Sequence, residues 1–222
     1  LSEIQVVKSL TPDQDADAIG GVVNLRLKEA PSGLHYDFLA QGGYNEKMRS
    51  FKPYKFQASV SNRFFNDKLG VFLQGNLERA DRGTDLLSVN WSIIKELGLG
   101  VSHLQLDNFR IIDREDIRKR YGGSLIMDYE LPNGKLMFSS IYSRWNRNRL
   151  DRFETFLFSN VQHRWNIRGE EHTIDIMTNS LQGEHRILGL NLDYGLSYST
   201  SKREHPDDLS LFFIEPSAFD RG

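Results

Sequence analysis

Apolar and polar positions alternate strictly along several long stretches of this chain. Near the C-terminal end, Leu188, Leu190, Leu192, Tyr194, Leu196 and Tyr198 fall on one side of an extended strand, and Gly189, Asn191, Asp193, Gly195, Ser197 and Ser199 on the other. Residues 120–131 repeat the pattern, with Tyr121, Leu125, Met127, Tyr129 and Leu131 opposite Gly122, Ser124, Asp128 and Glu130. Leu69, Val71, Leu73 and Leu77 do the same in a third stretch. The pattern predicts about seven strands, over 34–44, 54–65, 68–79, 120–131, 135–147, 171–182 and 187–201. Asn66-Asp67, Pro132-Asn133-Gly134 and residues 183–186 read as tight turns. Segments 45–53, 81–118, 149–170 and 202–222 read as loops.

Strand length and turn spacing select among all-β architectures. Strands in globular proteins usually hold about five or six residues, whereas a tilted membrane-crossing strand needs about nine to eleven. Most of the predicted strands are of the second kind. Alternation alone also suits a half-buried antiparallel sheet. Combined with this length, and with short turns on one side and long loops on the other, it favours part of an antiparallel transmembrane β-barrel. In such barrels the short turns lie on the periplasmic side and the long loops outside. About seven strands do not close one, because known bacterial single-chain barrels are even-numbered from about eight upwards.

Composition changes this picture little. There are 28 Lys and Arg against 30 Asp and Glu, so a net charge of -2 gives no electrostatic case for nucleic acid. A mean hydropathy of -0.49 resembles a soluble protein, but a barrel that alternates lipid-facing and polar positions averages out in the same way. No run of eighteen apolar residues offers a membrane-spanning helix. Leu1 opens directly into a polar strand with no basic-then-apolar leader, so for an exported protein the N-terminus given is not the biological one. With no cysteine there are no disulfides or thiolate metal sites.

The N-terminal stretch has its own grammar. Glu3 to Lys8 is strand-like and Thr11-Pro12-Asp13 breaks it. Asp15-Ala16-Asp17-Ala18-Ile19-Gly20-Gly21 then bends into Val22-Val23-Asn24-Leu25. This succession resembles the C-terminal part of the plug domain of TonB-dependent outer-membrane receptors. The resemblance is detailed over roughly the first thirty residues and rests on strand grammar beyond them. It implies residues 1–30 as the end of a plug and 31–222 as the first part of a barrel of about twenty-two strands, joined at Glu29-Ala30-Pro31-Ser32-Gly33. An ordinary inter-strand loop would read the same way there. The family implies import of a bulky, scarce ligand across the bacterial outer membrane, driven by TonB through an N-terminal box not in this sequence. The Leu-Thr-Pro-Asp variant suggests carbohydrate as cargo first, with a siderophore or haem second. A non-transporting barrel serving as scaffold or adhesin is the alternative.

Candidate site residues follow from both lines of reasoning. Asp15, Asp17, Gly20, Gly21 and Asn24 form the plug motif, with a gating or purely structural role. Trp91, Tyr44 and Trp145 are candidate ligand-stacking aromatics, or members of an interfacial girdle. Arg144, Arg147, Arg149 and Arg152 are placed to meet lipopolysaccharide phosphates, or simply solvent. Asp113, Glu115 and Asp116 among basic residues read as a solvated loop or short helix. The histidines, His35, His103, His163, His172, His185 and His205, show no metal-ligand spacing. No nucleophile elbow, phosphate loop or zinc-protease motif occurs, so the expectation is a non-enzyme without metal or cofactor. The expected partners are outer-membrane lipid and lipopolysaccharide, TonB, the imported ligand and a possible surface lipoprotein.

Overall fold

The computed structural model describes residues 3–7, 22–26, 29–98 and 101–219, with side chains described over 29–94 and 103–219. Its described residues are all-β and antiparallel. β1 (Glu3–Val7) and β2 (Val22–Arg26) form a two-stranded sheet in which Gln5 faces Asn24. The other nine strands form one open sheet. They are β3 (His35–Gly42), β4 (Tyr54–Phe64), β5 (Leu69–Asp81), β6 (Thr84–Gly98), β7 (Val101–Leu131), β8 (Gly134–Leu157), β9 (Gln162–Ile187), β10 (Leu190–Glu204) and β11 (Asp208–Pro216).

The sheet has two storeys. The spatial order β10-β9-β8-β7-β5-β4-β3 defines the near half, whose turns lie at 65–68, 132–133 and 188–189. These strands are the seven that alternation predicts. In the far half, β6 pairs with residues 101–114 of β7, and β11 with residues 162–170 of β9. β7, β8 and β9 run through both storeys, and the 31 residues of β7 cover about 100 Å. Three segments expected to be loops are therefore largely strand. Residues 84–98 and 101–118 belong to β6 and β7, most of 149–170 to β8 and β9, and 208–216 to β11.

The reason is charge pairing. Residues 114–120 are charged on both faces except at Ile117, so they carry no apolar period. On one face, however, Arg114 and Asp116 of β7 stand opposite Asp151 and Arg149 of β8, and Asp116 also bridges the neighbouring like-charged pair Arg118 and Arg147. Opposite charges directly across a ladder stabilise pairing as apolar neighbours do, by about 0.2–1 kcal/mol a pair.

The turn expected at 183–186 lies instead at Leu188-Gly189, where both residues have positive φ, 51° and 84°. Two positive φ values are what a two-residue hairpin turn requires. Gly183 is a strand residue. A methyl group built on it would meet the Tyr194 ring at 2.3 Å, so glycine is needed for that ring to lie across β9.

The two faces of the near half differ sharply. One carries Phe38, Phe56, Val60, Leu73, Leu77, Leu181, Leu192 and Leu196, all exposed, with Asn62, Ser140, Asn179 and His185 as interruptions. Tyr121, Tyr142 and Tyr198 mark its upper margin; Lys119 and Arg144 follow at the next same-face positions of β7 and β8, and Lys202 follows Thr200 on β10. The opposite face is polar and internally bonded. Ser139 and Ser180 share a hydrogen bond of 2.7 Å, and Arg63 donates to Asp128, which is 1 % exposed, at 2.7 Å. Among the described residues the buried apolar side chains are only Ala30, Phe72, Ile112 and Ile126. Among the described residues no dry core lies behind the apolar face.

The segment that precedes β3 is fastened to the polar face at its near end. Arg63 donates from Nη1 to the Ala30 carbonyl at 3.0 Å, and Lys135 lies 2.6 Å from Glu29.

Candidate functional site

The far half continues the polar face as a wall of arginines. Its lower course is two buried carboxylates, each held by two guanidiniums. Asp116 accepts from Arg118 and Arg147, both at 2.7 Å, and Asp151 from Arg114 at 2.8 Å and from Arg149. Strand geometry places them, since residues two apart share a face and β7 and β8 are in direct register. Burial alone pushes the Asp116 carboxyl up, but hydrogen bonds from Arg147 and Arg118 outweigh it and hold the pKa at about 2. Asp151 is likewise lowered: burial opposes the shift, and Arg149 and Arg114 overcome it.

Above this course lies a recess of about 270 Å³, lined by Arg110, Phe153, Thr155, Arg164, Asn166 and Phe212 among others. β7, β8, β9 and β11 each contribute. Arg110 sits 5.9 Å from the Phe153 ring centre and donates to the Thr155 hydroxyl at 3.1 Å. Arg164 sits 5.8 Å from the Phe212 ring and donates twice to Gln162. Among the described residues neither guanidinium is paired with a carboxylate. The recess thus presents two uncompensated cations beside two aromatic rings. Such a surface suits an anionic group joined to a flat or apolar body.

The residues expected from sequence are dispersed. Asp15, Asp17, Gly20 and Gly21 lie outside the described residues, and Asn24 sits in β2 opposite Gln5. Tyr44 packs against Phe51 with ring centres 4.7 Å apart and the rings tilted by 45°, in the turn after β3. Trp91 is exposed beside a bulge in β6, and Trp145 is half-buried on the polar face of β8. The three aromatics do not converge. Of the four arginines, Arg147 and Arg149 share the polar face with Asp116 and Asp151. Arg144 and Arg152 project from the opposite face, where Arg144 meets Asp175 at 3.6 Å and Arg152 meets Glu115 at 2.7 Å. Each already holds a carboxylate. Asp113, Glu115 and Asp116 are strand residues, not loop or helix.

Sequence reasoning missed Arg110, Phe153, Arg164 and Phe212 because all four fall in segments expected to be loops. The available signal was the alternation Arg110-x-Ile112-x-Arg114, which has strand period but no uniform polarity. Comparison with family models, curated proteins and solved structures finds no match.

Proposed function

We propose that this chain is part of a TonB-dependent outer-membrane receptor, with the end of the plug in residues 1–30 and the first part of the barrel in 31–222. One observation carries the reading: seven adjacent strands expose a common apolar face with no core behind it among the described residues. Leu190 to Tyr198 cover about 30 Å of strand, which matches the apolar band of about 25 Å on tilted outer-membrane strands. The tyrosines at its margin fit a headgroup girdle, and the polar face fits a lumen. On this reading the far half rises on the outer side, and its arginine-lined recess receives the anionic part of a bulky cargo. Sugars bearing acidic groups and siderophores both meet that description. On this reading the Ala30 and Glu29 contacts fall at the handover from plug to wall.

The test uses the absence of native cysteine. Single cysteines are placed at 190–199 of the protein synthesised in a Gram-negative host. The expected result is a two-residue period: Leu192→Cys and Leu196→Cys are quenched by a lipid-phase probe, while Asp193→Cys and Ser197→Cys react with a membrane-impermeant thiol reagent. Uniform aqueous labelling of all positions would overturn the reading.

A scaffold role in a surface assembly is the second reading, favoured by the exposed Trp91, Ile93 and Ile94 on β6. Energy-dependent uptake that is lost with Arg110→Ala and Arg164→Ala, while the protein remains in the outer membrane, separates transport from scaffolding.

A further inference from the structure

His172, His205 and Asp208 are far apart in the chain, but the sheet brings them together. Each offers one ligand atom, and these atoms all lie within 4.8 Å of one another. His172 is a half-buried β9 residue, and its ring centre is 3.9 Å from that of His205 in an edge-on arrangement. His205 and Asp208 are exposed and flank the junction between β10 and β11.

The junction explains the meeting. β10 ends with Glu204 opposite Thr173, and β11 begins with Asp208 opposite Glu170. Residues 205–207 therefore stand across from only 171 and 172. The excess residue acts as a bulge and resets the alternation. Odd-numbered residues of β10 share the polar face with His172, and even-numbered residues of β11 do so after the bulge. In an uninterrupted strand His205 and Asp208 would point to opposite faces. Pro206 has no N–H to leave unpaired there, and Glu171 donates its backbone N–H to the Asp207 carbonyl at 3.2 Å.

We propose that these three side chains bind one divalent transition-metal ion of the zinc class. Two imidazoles and one carboxylate form a donor set that suits zinc, with a fourth position left for water. Around such an ion the ligand atoms sit about 3.3 Å apart, given bonds of about 2.0–2.1 Å. Small rotations of the exposed His205 and Asp208 reach that spacing. Glu170 lies 3.9 Å from Nε2 of His172 and is held by Arg168 at 2.6 Å. That is beyond hydrogen-bond distance, and a small turn of the His172 ring would bring its N–H to the carboxylate, the contact that commonly orients metal-binding imidazoles. The bound ion clips the start of β11 to β9, and so fixes the strand that carries Phe212 into the arginine recess. The site stands whether or not the wall belongs to a transporter.

The experiment is calorimetric titration of Zn(II) into the purified full chain in detergent, with Co(II) absorption as the spectroscopic check. One ion per chain is expected, with a Co(II) spectrum typical of nitrogen and oxygen ligands. His172→Ala, His205→Ala and Asp208→Asn each weaken binding at least tenfold, whereas His163→Ala and His185→Ala leave it unchanged. Zn(II) also slows proteolysis at 205–207 in the wild type and not in His205→Ala. Equal circular dichroism spectra and unfolding midpoints for the metal-free proteins exclude misfolding as the cause. Failure of the wild-type chain to take up Zn(II) saturably, or uptake that survives both histidine substitutions, would overturn the proposal.

Discussion

Asp128 and Arg63 show how much a single side chain carries in a sheet with almost no dry core. Asp128 is 1 % exposed and Arg63 fills the space beside it. Gly70 is required because a methyl group there would sit 2.3 Å from the carboxylate. Arg63→Met leaves that carboxylate buried and unpaired, and is expected to cost about 3 kcal/mol in denaturant unfolding in detergent. The double variant Arg63→Met with Asp128→Leu recovers most of the loss, since both charges are then gone. Asp116 gives a prediction with a definite sign. Its carboxyl is lowered from 3.8 to about 2 in the folded state, so its contribution is fully present above about pH 4. It is lost as the pH falls from there towards 2. Unfolding midpoints followed across that window should drop more steeply for the wild type than for Asp116→Asn, and run parallel above it.

Among the elements, the hairpin between β9 and β10 is the one least suited to its own sequence. Leu188 holds a φ of 51° and is 98 % exposed, where asparagine is the preferred occupant. Leu188→Asn is expected to raise the unfolding free energy by about 0.5 kcal/mol, read from the denaturant midpoint. Gly183→Val should lower it, because the added carbons displace the Tyr194 ring from above β9. The same residues show what could be read in advance. Near-half strands were legible because leucine and tyrosine recur every second residue against serine, asparagine and aspartate. Pro132-Asn133 announced its own turn. Leu188 did not, and Gly183 drew the turn to itself although it is a strand glycine beneath an aromatic ring. The far half was illegible for a deeper reason: Arg114 and Asp116 are matched by Asp151 and Arg149 across the ladder, and that complementarity is between strands. The recess and the His172–His205 meeting inherit that blindness.

For the molecule as a whole, β3 and β10 are the edges of the near half among the described residues, and each there leaves a row of backbone groups without a strand partner. The 222-residue chain alone is therefore expected to need detergent and to self-associate edge to edge. Sedimentation should show aggregates in buffer and small oligomers in micelles, whereas a dispersed monomer in plain buffer would contradict an exposed apolar face. The clamp on residues 29 and 30 has a mechanical consequence. β3 is an eight-residue strand bonded on one side only, to β4, so tension arriving from upstream would unzip it one rung at a time. Arg63 and Lys135 intercept that load before β3 and pass it to β4 and β8. On the proposed plug-and-barrel reading they would serve as a strain relief, like the gland that grips a cable before its soldered joint: a pull arriving ahead of Glu29 would leave the seam of the wall intact.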